Sequence, residues 1–208
     1  GAPQTQLRIG QMGIERANPE YVPIGVMNAA LGGNFSSRIN MNLREEHGYT
    51  YGAFSVFSSR RVPGPFYIGA GVRTDATAPA ITEVFKEVDR MRSEAVSAEE
   101  LALAKDSISR SLPGLFETTA STTNSIGSLF VYDLPLDYYR DFPAKVDAVD
   151  ADAVLSMAKK YLTPEGMVVV TVGDRAKIEP ELKKLNLGSS EVRDFEGNPV
   201  REGAAAGN

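Results

Sequence analysis

Residues 31–52 read LGGNFSSRINMNLREEHGYTYG, and this stretch contains the changes of pattern that decide the fold. A pair of glycines ends one apolar segment, and two serines then precede residues with apolar side chains at helical spacing. That second segment runs through Ile39, Leu43 and Glu46 and stops at Gly48, because glycine commonly terminates helices. Aromatic residues follow at once. The stretch therefore predicts a helix end, a second helix capped by Ser36 or Ser37, and the start of a strand.

The neighbouring segments predict further strands around this helix pair. Roughly alternating apolar residues from Gln6 to Ala17 predict a strand, and Asn18-Pro19-Glu20 predicts the start of the helix that ends at the glycine pair. Two runs rich in aromatic and β-branched residues, 49–59 and 65–73, are joined by a segment containing Pro and Gly. We expect these two runs to pair as an antiparallel hairpin.

The second half of the chain is predicted to be mainly helical. Apolar residues recur at helical spacing between Ile81 and Met91, and Ser97-Ala-Glu-Glu100 is a capping box that opens another helix. Two or three helices are expected between residues 117 and 162, with breaks marked by Pro135, Pro143 and Asp150. The apolar run 166–172 predicts a strand buried on both sides or central in the sheet, and a short helix is expected in 174–187.

This order of elements predicts an α+β domain with an antiparallel or mixed sheet and helices packed on one face. We expect a single domain over residues 1–187 and a polar tail over 188–208. The beginning Gly1-Ala-Pro-Gln4 indicates that a signal or a preceding domain has been removed.

Composition excludes several classes of function. Of 208 residues, 22 are Lys or Arg and 27 are Asp or Glu, so the net charge of -5 argues against nucleic acid as a partner. The sequence has no cysteine, which excludes disulfides, thiolate metal sites and cysteine nucleophiles. No run approaches the ~18 apolar residues of a membrane span, so none is expected.

The single histidine, His47, follows Leu43-Arg-Glu-Glu, a string that matches the last two positions of the zinc-peptidase motif H-x-x-E-H. Leu43 stands where the first histidine would be and has no lone pair. A zinc peptidase needs two imidazoles one helical turn apart and a third ligand. We therefore predict that this chain alone binds no metal, and that His47 is a polar residue in the last helical turn.

Two other chemistries find little support. A serine hydrolase would need a base and a G-x-S-x-G elbow, and none of the serines between residues 36 and 58 lies in one. The glycine pair before Asn34 follows a helix, whereas a phosphate-binding loop follows a strand and has a lysine at a fixed offset. The pair is better explained as a helix end that permits a close backbone turn.

Arg44 and Tyr51 lie on either side of the turn at Gly48, so both side chains could project at one edge of the sheet. A guanidinium and a phenol together suit a peptide carbonyl, or the oxyanion that forms when water attacks it. The alternative is structural: a surface ion pair of Arg44 with Glu45 or Glu46, and a half-buried strand tyrosine.

Residues 31–38, LGGNFSSR, followed by 43–51, LREEHGYTY, closely resemble the carboxy-terminal, non-zinc half of the pitrilysin/insulinase-type zinc peptidases. This group includes mitochondrial processing peptidases and cytochrome bc1 core proteins. Its pattern is roughly L-G-G-x-x-S-S-R-L and then R-E-x-x-G-x-x-Y, and the sequence departs from it by Ile39 in place of leucine. The resemblance extends from about Gln6 to Leu185.

The resemblance implies a domain that is not a catalyst alone and that closes over an extended peptide opposite an H-x-x-E-H half. Zinc is then expected in that partner half, which is either another domain of the same chain or a separate subunit. By position, the substrate-contacting arginine and tyrosine of the family correspond to Arg44 and Tyr51. A structural or assembly module like the core proteins is the alternative function. For a bacterial source, the resemblance implies the periplasm or cell envelope.

Overall fold

A computed structural model describes residues 1–200 and contains one four-stranded sheet. Its strands, in the spatial order β2-β3-β1-β4, all pair antiparallel with their neighbours. The strand bounds along the chain are β1 (Gln4–Met12), β2 (Thr50–Phe57), β3 (Pro65–Arg73) and β4 (Val168–Val172). The domain is therefore α+β, as predicted.

Eight α-helices lie within the described residues 1–200. The α-helices are α1 (Tyr21–Asn28), α2 (Arg38–Asn40), α3 (Thr77–Ser93), α4 (Ala98–Ser111), α5 (Thr119–Val131), α6 (Tyr138–Asp147), α7 (Ala151–Tyr161) and α8 (Arg175–Lys184). Two segments are wound as π-helix, Ala29–Gly33 directly after α1 and Met41–Glu46 directly after α2. Short 3₁₀ turns occur at Thr74–Ala76, Pro113–Phe116 and Pro164–Gly166.

The helices cover one face of the sheet and leave the other open. On β1, Thr5, Leu7 and Ile9 are buried, whereas Gln6 and Arg8, which alternate with them, are exposed. This alternation places every second β1 side chain on the helical face, because successive residues of a strand point to opposite sides. Helix α7 contacts both α1 and α3 above that face. The core therefore lies in a single layer between the sheet and its helices.

Several predicted elements are confirmed. Strands β2 and β3 form the expected antiparallel hairpin, and three helices occupy residues 117–162. Ser97 accepts a hydrogen bond from the Glu100 backbone N–H, and the Glu100 carboxylate accepts one from the Ser97 N–H, which completes the capping box. Pro143, predicted to break a helix, instead lies inside α6. The first strand ends at Met12, earlier than the predicted Ala17.

The position of β4 differs from the prediction. The apolar run was expected to be buried on both sides or central, but β4 pairs only with β1 and lies at the edge of the sheet. Val168, Val170 and Val172 are exposed on the open face. A run of valines favours a strand at the centre of a sheet and at its edge alike, because valine has a high strand propensity in both positions.

Residues 188–200 follow α8 without a further helix or strand, although Arg193 and Pro199 form an isolated bridge. The predicted polar tail 188–208 extends into residues 201–208, which lie outside the described residues. The division into a domain 1–187 and a tail therefore stays a prediction. No helix within residues 1–200 is both long enough and apolar enough to cross a membrane.

Candidate functional site

Gly32 allows the first π-helical segment to touch β2. A Cβ atom at this position would lie 2.5 Å from Ser55 Oγ and 2.6 Å from the Ser55 backbone nitrogen, closer than atoms can pack. Asn28 secures the same contact, since Ser55 Oγ donates to Asn28 Oδ1 (2.8 Å) and Asn28 Nδ2 donates to the Ser55 carbonyl (3.1 Å). The glycine pair thus provides a close approach between helix and strand.

The second π-helical segment sets the direction of Arg44. The His47 N–H donates to the Asn42 carbonyl five residues earlier (3.1 Å), and Gly48 then adopts a left-handed φ of 61° that ends the helix. Leu43 is completely buried, while the side chain of the next residue, Arg44, retains 35% of its exposure. Wound in this way, the segment fixes Leu43 in the core and presents Arg44 at the surface.

Arg44 makes two contacts at this surface. Its Nε lies 3.4 Å from Glu45 Oε1, which is one of the ion pairs expected from the structural alternative. Its guanidinium carbon also lies 4.5 Å from the centre of the Phe35 ring, a cation–π contact. Phe35 itself is 64% exposed. Within residues 1–200, the two Nη groups of Arg44 form no hydrogen bond, so they remain available to an acceptor.

Tyr51 projects from a β-bulge in β2. The register with β3 shifts between Thr50 and Ala53, and Thr50 Oγ1 holds the irregular segment by accepting from the Gly52 N–H (3.1 Å) and donating to the Gly71 carbonyl (2.8 Å). Bulges often redirect a side chain near a functional site. Tyr51 is 90% exposed and has no hydrogen bond or ring contact with the described part of the chain. The structural alternative predicted that Tyr51 would be half-buried in its strand, and this prediction is wrong.

A buried asparagine connects the Phe35 loop with this bulge. Asn40 Nδ2 donates to the Phe35 carbonyl (2.6 Å), and Asn40 Oδ1 accepts from the Ala53 backbone N–H (3.0 Å). We call Phe35, Asn40, Arg44 and Tyr51 the surface cluster. The sequence interpretation missed Phe35 and Asn40. A signal for Asn40 was present, since asparagine is disfavoured inside helices unless its side chain has a partner.

Asn42 anchors the same segment to α3. Its Nδ2 donates to Glu83 Oε2 (3.1 Å) and to Glu87 Oε1 (3.0 Å), and Glu87 is buried beneath Arg90. A hydrogen bond from Lys86 lowers the pKa of Glu83, against the opposing effect of burial. The ionised form of Glu83, which accepts from the Asn42 amide, is thereby favoured.

The donor groups in this region do not fit a zinc ion. Leu43 lies in the core, and the His47 ring stacks on Tyr49 with centroids 4.9 Å apart while its Nε2 lies 3.6 Å from Glu83 Oε2. One imidazole and one carboxylate are fewer ligands than a protein zinc site uses. The described residues contain no group of three or more His, Cys, Asp or Glu that could hold a metal ion.

Two comparisons show what the chain resembles in sequence and in structure. An uncharacterised zinc protease of Streptomyces coelicolor is 26% identical over 162 residues, which cover 76% of this chain and 35% of that protein. The crystal structure of a peptidase M16 inactive domain from Pseudomonas fluorescens is 30% identical and superposes with a TM-score of 0.73, covering 81% of this chain and 40% of that one. The chain thus spans about two fifths or less of these relatives.

The same fold occurs in a chain of a larger assembly, complex III₂. A chain of complex III₂ from Candida albicans superposes with a TM-score of 0.71 at 18% identity, covering 86% of this chain and 46% of that one. The model of a protein family described as the peptidase M16 inactive domain matches residues 1–108 and includes the whole surface cluster. The chain therefore belongs to the peptidase M16 inactive-domain family.

Proposed function

We propose that this chain is the substrate-binding, non-catalytic half of a zinc endopeptidase and that Arg44 and Tyr51 contact the scissile carbonyl of an extended peptide. The zinc ion and its H-x-x-E-H motif are assigned to a partner half, fused or separate. Membership of the M16 inactive-domain family supports the coarse part of this proposal. The observation that carries the finer part is the 90% exposure of Tyr51 at a bulge, which Asn40 connects to the loop whose Phe35 ring lies under the Arg44 guanidinium.

Exposure of this kind argues for a binding role. A tyrosine that served only the fold would bury its ring, because burial of aromatic surface is what stabilises it. Tyr51 gains no such burial, and the Thr50 hydrogen bonds maintain the bulge that holds it outside. Arg44 is likewise restrained by stacking on Phe35, so little side-chain entropy would be lost when its guanidinium binds.

The proposed chemistry needs only hydrogen-bond donors from this chain. The Nη groups of Arg44 and the hydroxyl of Tyr51 would donate to the carbonyl oxygen, and more strongly to the oxyanion that develops as water attacks. Residues of the partner half would hold the zinc ion and activate the attacking water. This chain's contribution is therefore to position the peptide and to stabilise the negative charge on its oxygen.

The test mixes the chain with its zinc-bearing half and measures kcat/KM for peptide cleavage. We expect Arg44→Ala and Tyr51→Phe each to lower kcat/KM by about a hundredfold, the typical effect of removing one oxyanion donor. Arg110→Ala and Tyr132→Phe are matched controls outside the surface cluster, since Arg110 is an exposed helical arginine paired with Asp106. Both controls should retain full activity.

Two results would contradict the proposal. Losses below about threefold in both cluster variants would exclude a role at the scissile carbonyl, given the size of that effect. Unchanged cleavage combined with weaker association of the two halves would instead identify a structural or assembly module.

A further inference from the structure

A second candidate binding site lies at the opposite end of the sheet. Tyr51 is near the first residues of β1, because Thr50 pairs with Val72 and Gln4 pairs with Arg73. A cavity of about 500 Å³ opens beyond the last residues of β1, between the β1–α1 connection and the α5–α6 turn. Its walls comprise Arg16, Ala17, Asn18, Pro19, Tyr21, Val22, Pro23, Leu134, Pro135, Tyr138, Lys145, Ala148, Val149 and Ala153.

Arg16 lies in this cavity with part of its guanidinium unused. The guanidinium carbon is 3.9 Å from the centre of the Tyr21 ring and 4.8 Å from that of Tyr138, so two aromatic rings hold it in place. Its Nη1 atom is buried and has no hydrogen-bond acceptor among residues 1–200, so the guanidinium would have to rotate slightly to donate from this atom to a ligand in the cavity. A buried guanidinium N–H without an acceptor is uncommon and calls for an explanation.

Tyr138 presents a second polar group in the same cavity. The residue is only 9% exposed, and Arg16 is the polar side chain that interacts with its hydroxyl, outside ordinary hydrogen-bond geometry. Burial raises the pKa of Tyr138, and the positive charge and hydrogen bonding of Arg16 partly oppose this effect. The phenol is therefore a neutral hydroxyl at ordinary pH and can donate its proton to an acceptor.

The charge of the cavity is opposite to that of the chain. Lys145 Nζ lies 5.9 Å from the Tyr138 ring centre, and neither Lys145 nor Arg16 forms an ion pair within the described part of the chain. No Asp or Glu lines the cavity, although the whole chain has a net charge of -5. Two cations therefore line the cavity beside a buried phenol, and Asp141, outside the lining, is the carboxylate that responds to the charge of Lys145.

The remaining wall is apolar. Val22, Pro23, Leu134, Pro135 and Val149 form much of the lining. From these features we propose that the cavity binds a carboxylate bearing an apolar substituent, with Arg16, Tyr138 and Lys145 donating to the carboxylate and the apolar wall covering the substituent. Such a group is present on the carboxyl end of a peptide with a hydrophobic last residue and on a free apolar acid.

The binding test is a titration of the ¹⁵N-labelled chain followed by amide chemical shifts. The probes are 4-phenylbutyrate, its neutral amide, acetate, and a short leucine-terminated peptide with either a free or an amidated carboxyl end. We expect saturable shifts in residues 16–22 and 134–149 with the two apolar carboxylates. The amides and acetate should bind at least tenfold more weakly, since each lacks one of the two required features.

Relative affinities then distinguish the two sources of the ligand. A free-ended peptide that binds tighter than 4-phenylbutyrate assigns the site to peptide ends, and the reverse order assigns it to free apolar acids. Equal binding of acid and amide, or the absence of saturable shifts, would overturn the proposal. Neither result bears on cleavage, so this test and that of the surface cluster fail independently.

Variants identify the donors. Tyr138→Phe keeps the ring and removes the hydroxyl, and it should weaken 4-phenylbutyrate binding by about three- to tenfold. Arg16→Gln should weaken it by tenfold or more. If the Arg16 change disturbs folding, Lys145→Gln provides a second charge variant at an exposed helix position. Arg110→Gln, which removes an exposed positive charge elsewhere, is the matched control. Equal affinity of all four variants would contradict the assignment.

Discussion

The Oδ1 atom of Asn40 accepts the backbone N–H of Ala53 at 3.0 Å, although Asn40 belongs to a helix and Ala53 to a strand. The same side chain donates to the Phe35 carbonyl. Asn40→Ala would leave the buried Ala53 N–H without a partner and would also remove the donor to the partly buried Phe35 carbonyl. We expect the free energy of unfolding in urea to fall by about 1–3 kcal/mol. Asn124→Ala, at an exposed helical position, should cause no comparable loss.

The close approach at Gly32 predicts opposite effects for two glycine substitutions. Gly32→Ala would place its methyl group against the Ser55 backbone, which cannot rotate away, so we expect a loss of more than about 2 kcal/mol from backbone displacement. Gly25→Ala, inside α1 with open space around it, should raise stability by about 0.5–1 kcal/mol. Thermal unfolding of the two variants and of the unchanged chain measures both differences in stability. A stable Gly32→Ala protein would show that α1 and β2 separate easily.

The Arg38–Glu100 pair should make stability depend on pH. Hydrogen bonds from the Arg38 guanidinium lower the pKa of Glu100 to about 2 from 4.5. A lowered pKa means that the folded state favours the ionised form. The contribution of this pair to the free energy of unfolding is therefore fully present above about pH 4.5, and it declines as the pH falls from there toward 2.

Glu100→Gln isolates this contribution. The Glu100 side chain is 31% exposed, which reduces the effect, so we expect the variant to be about 1–3 kcal/mol less stable at pH 7. The difference should shrink steadily below about pH 4.5. Urea unfolding at several pH values measures it, and a difference that stays constant down to pH 2 would contradict the assigned pKa.

Leu43→His restores the motif H-x-x-E-H in the sequence, but the structure predicts no zinc site. Leu43 is fully buried, so the new imidazole would replace core packing by an unpaired polar group. We expect a loss of about 2–4 kcal/mol and no measurable zinc binding by calorimetry. Leu43→Met is the control, and it should cost less than about 1.5 kcal/mol. Stoichiometric zinc binding by Leu43→His would refute the core position of residue 43.

Local patterns in the sequence were sufficient for much of the fold. The β2–β3 hairpin follows from two adjacent strand-like runs with a turn between them, and the Ser97 capping box is encoded within four residues. Leu43 was also correctly assigned to an apolar face. Each of these features depends on neighbours in sequence, which is why pattern and propensity predict them.

Features that depend on distant segments were missed. The edge position of β4 is set by β1, more than 150 residues earlier, and a run of valines contains no information about it. The exposure of Tyr51 arises from a bulge whose hydrogen bonds reach β3, and Phe35 joins Arg44 only after both helices are packed. Arg44 and Tyr51 could therefore be chosen as candidates, whereas their surroundings could not be deduced.

Because Met41–Glu46 is wound as π-helix, the number of residues in this segment determines where its side chains point, as much as their identity does. A π turn contains about one residue more than an α turn, and each helical residue rotates the next side chain by about 100°. Deleting Met41 would remove one residue between α2 and Leu43 and retain every side chain with a named role. We expect Leu43 and Arg44 then to point in different directions relative to α2, so that Leu43 loses its place in the core and Arg44 its contact with Phe35.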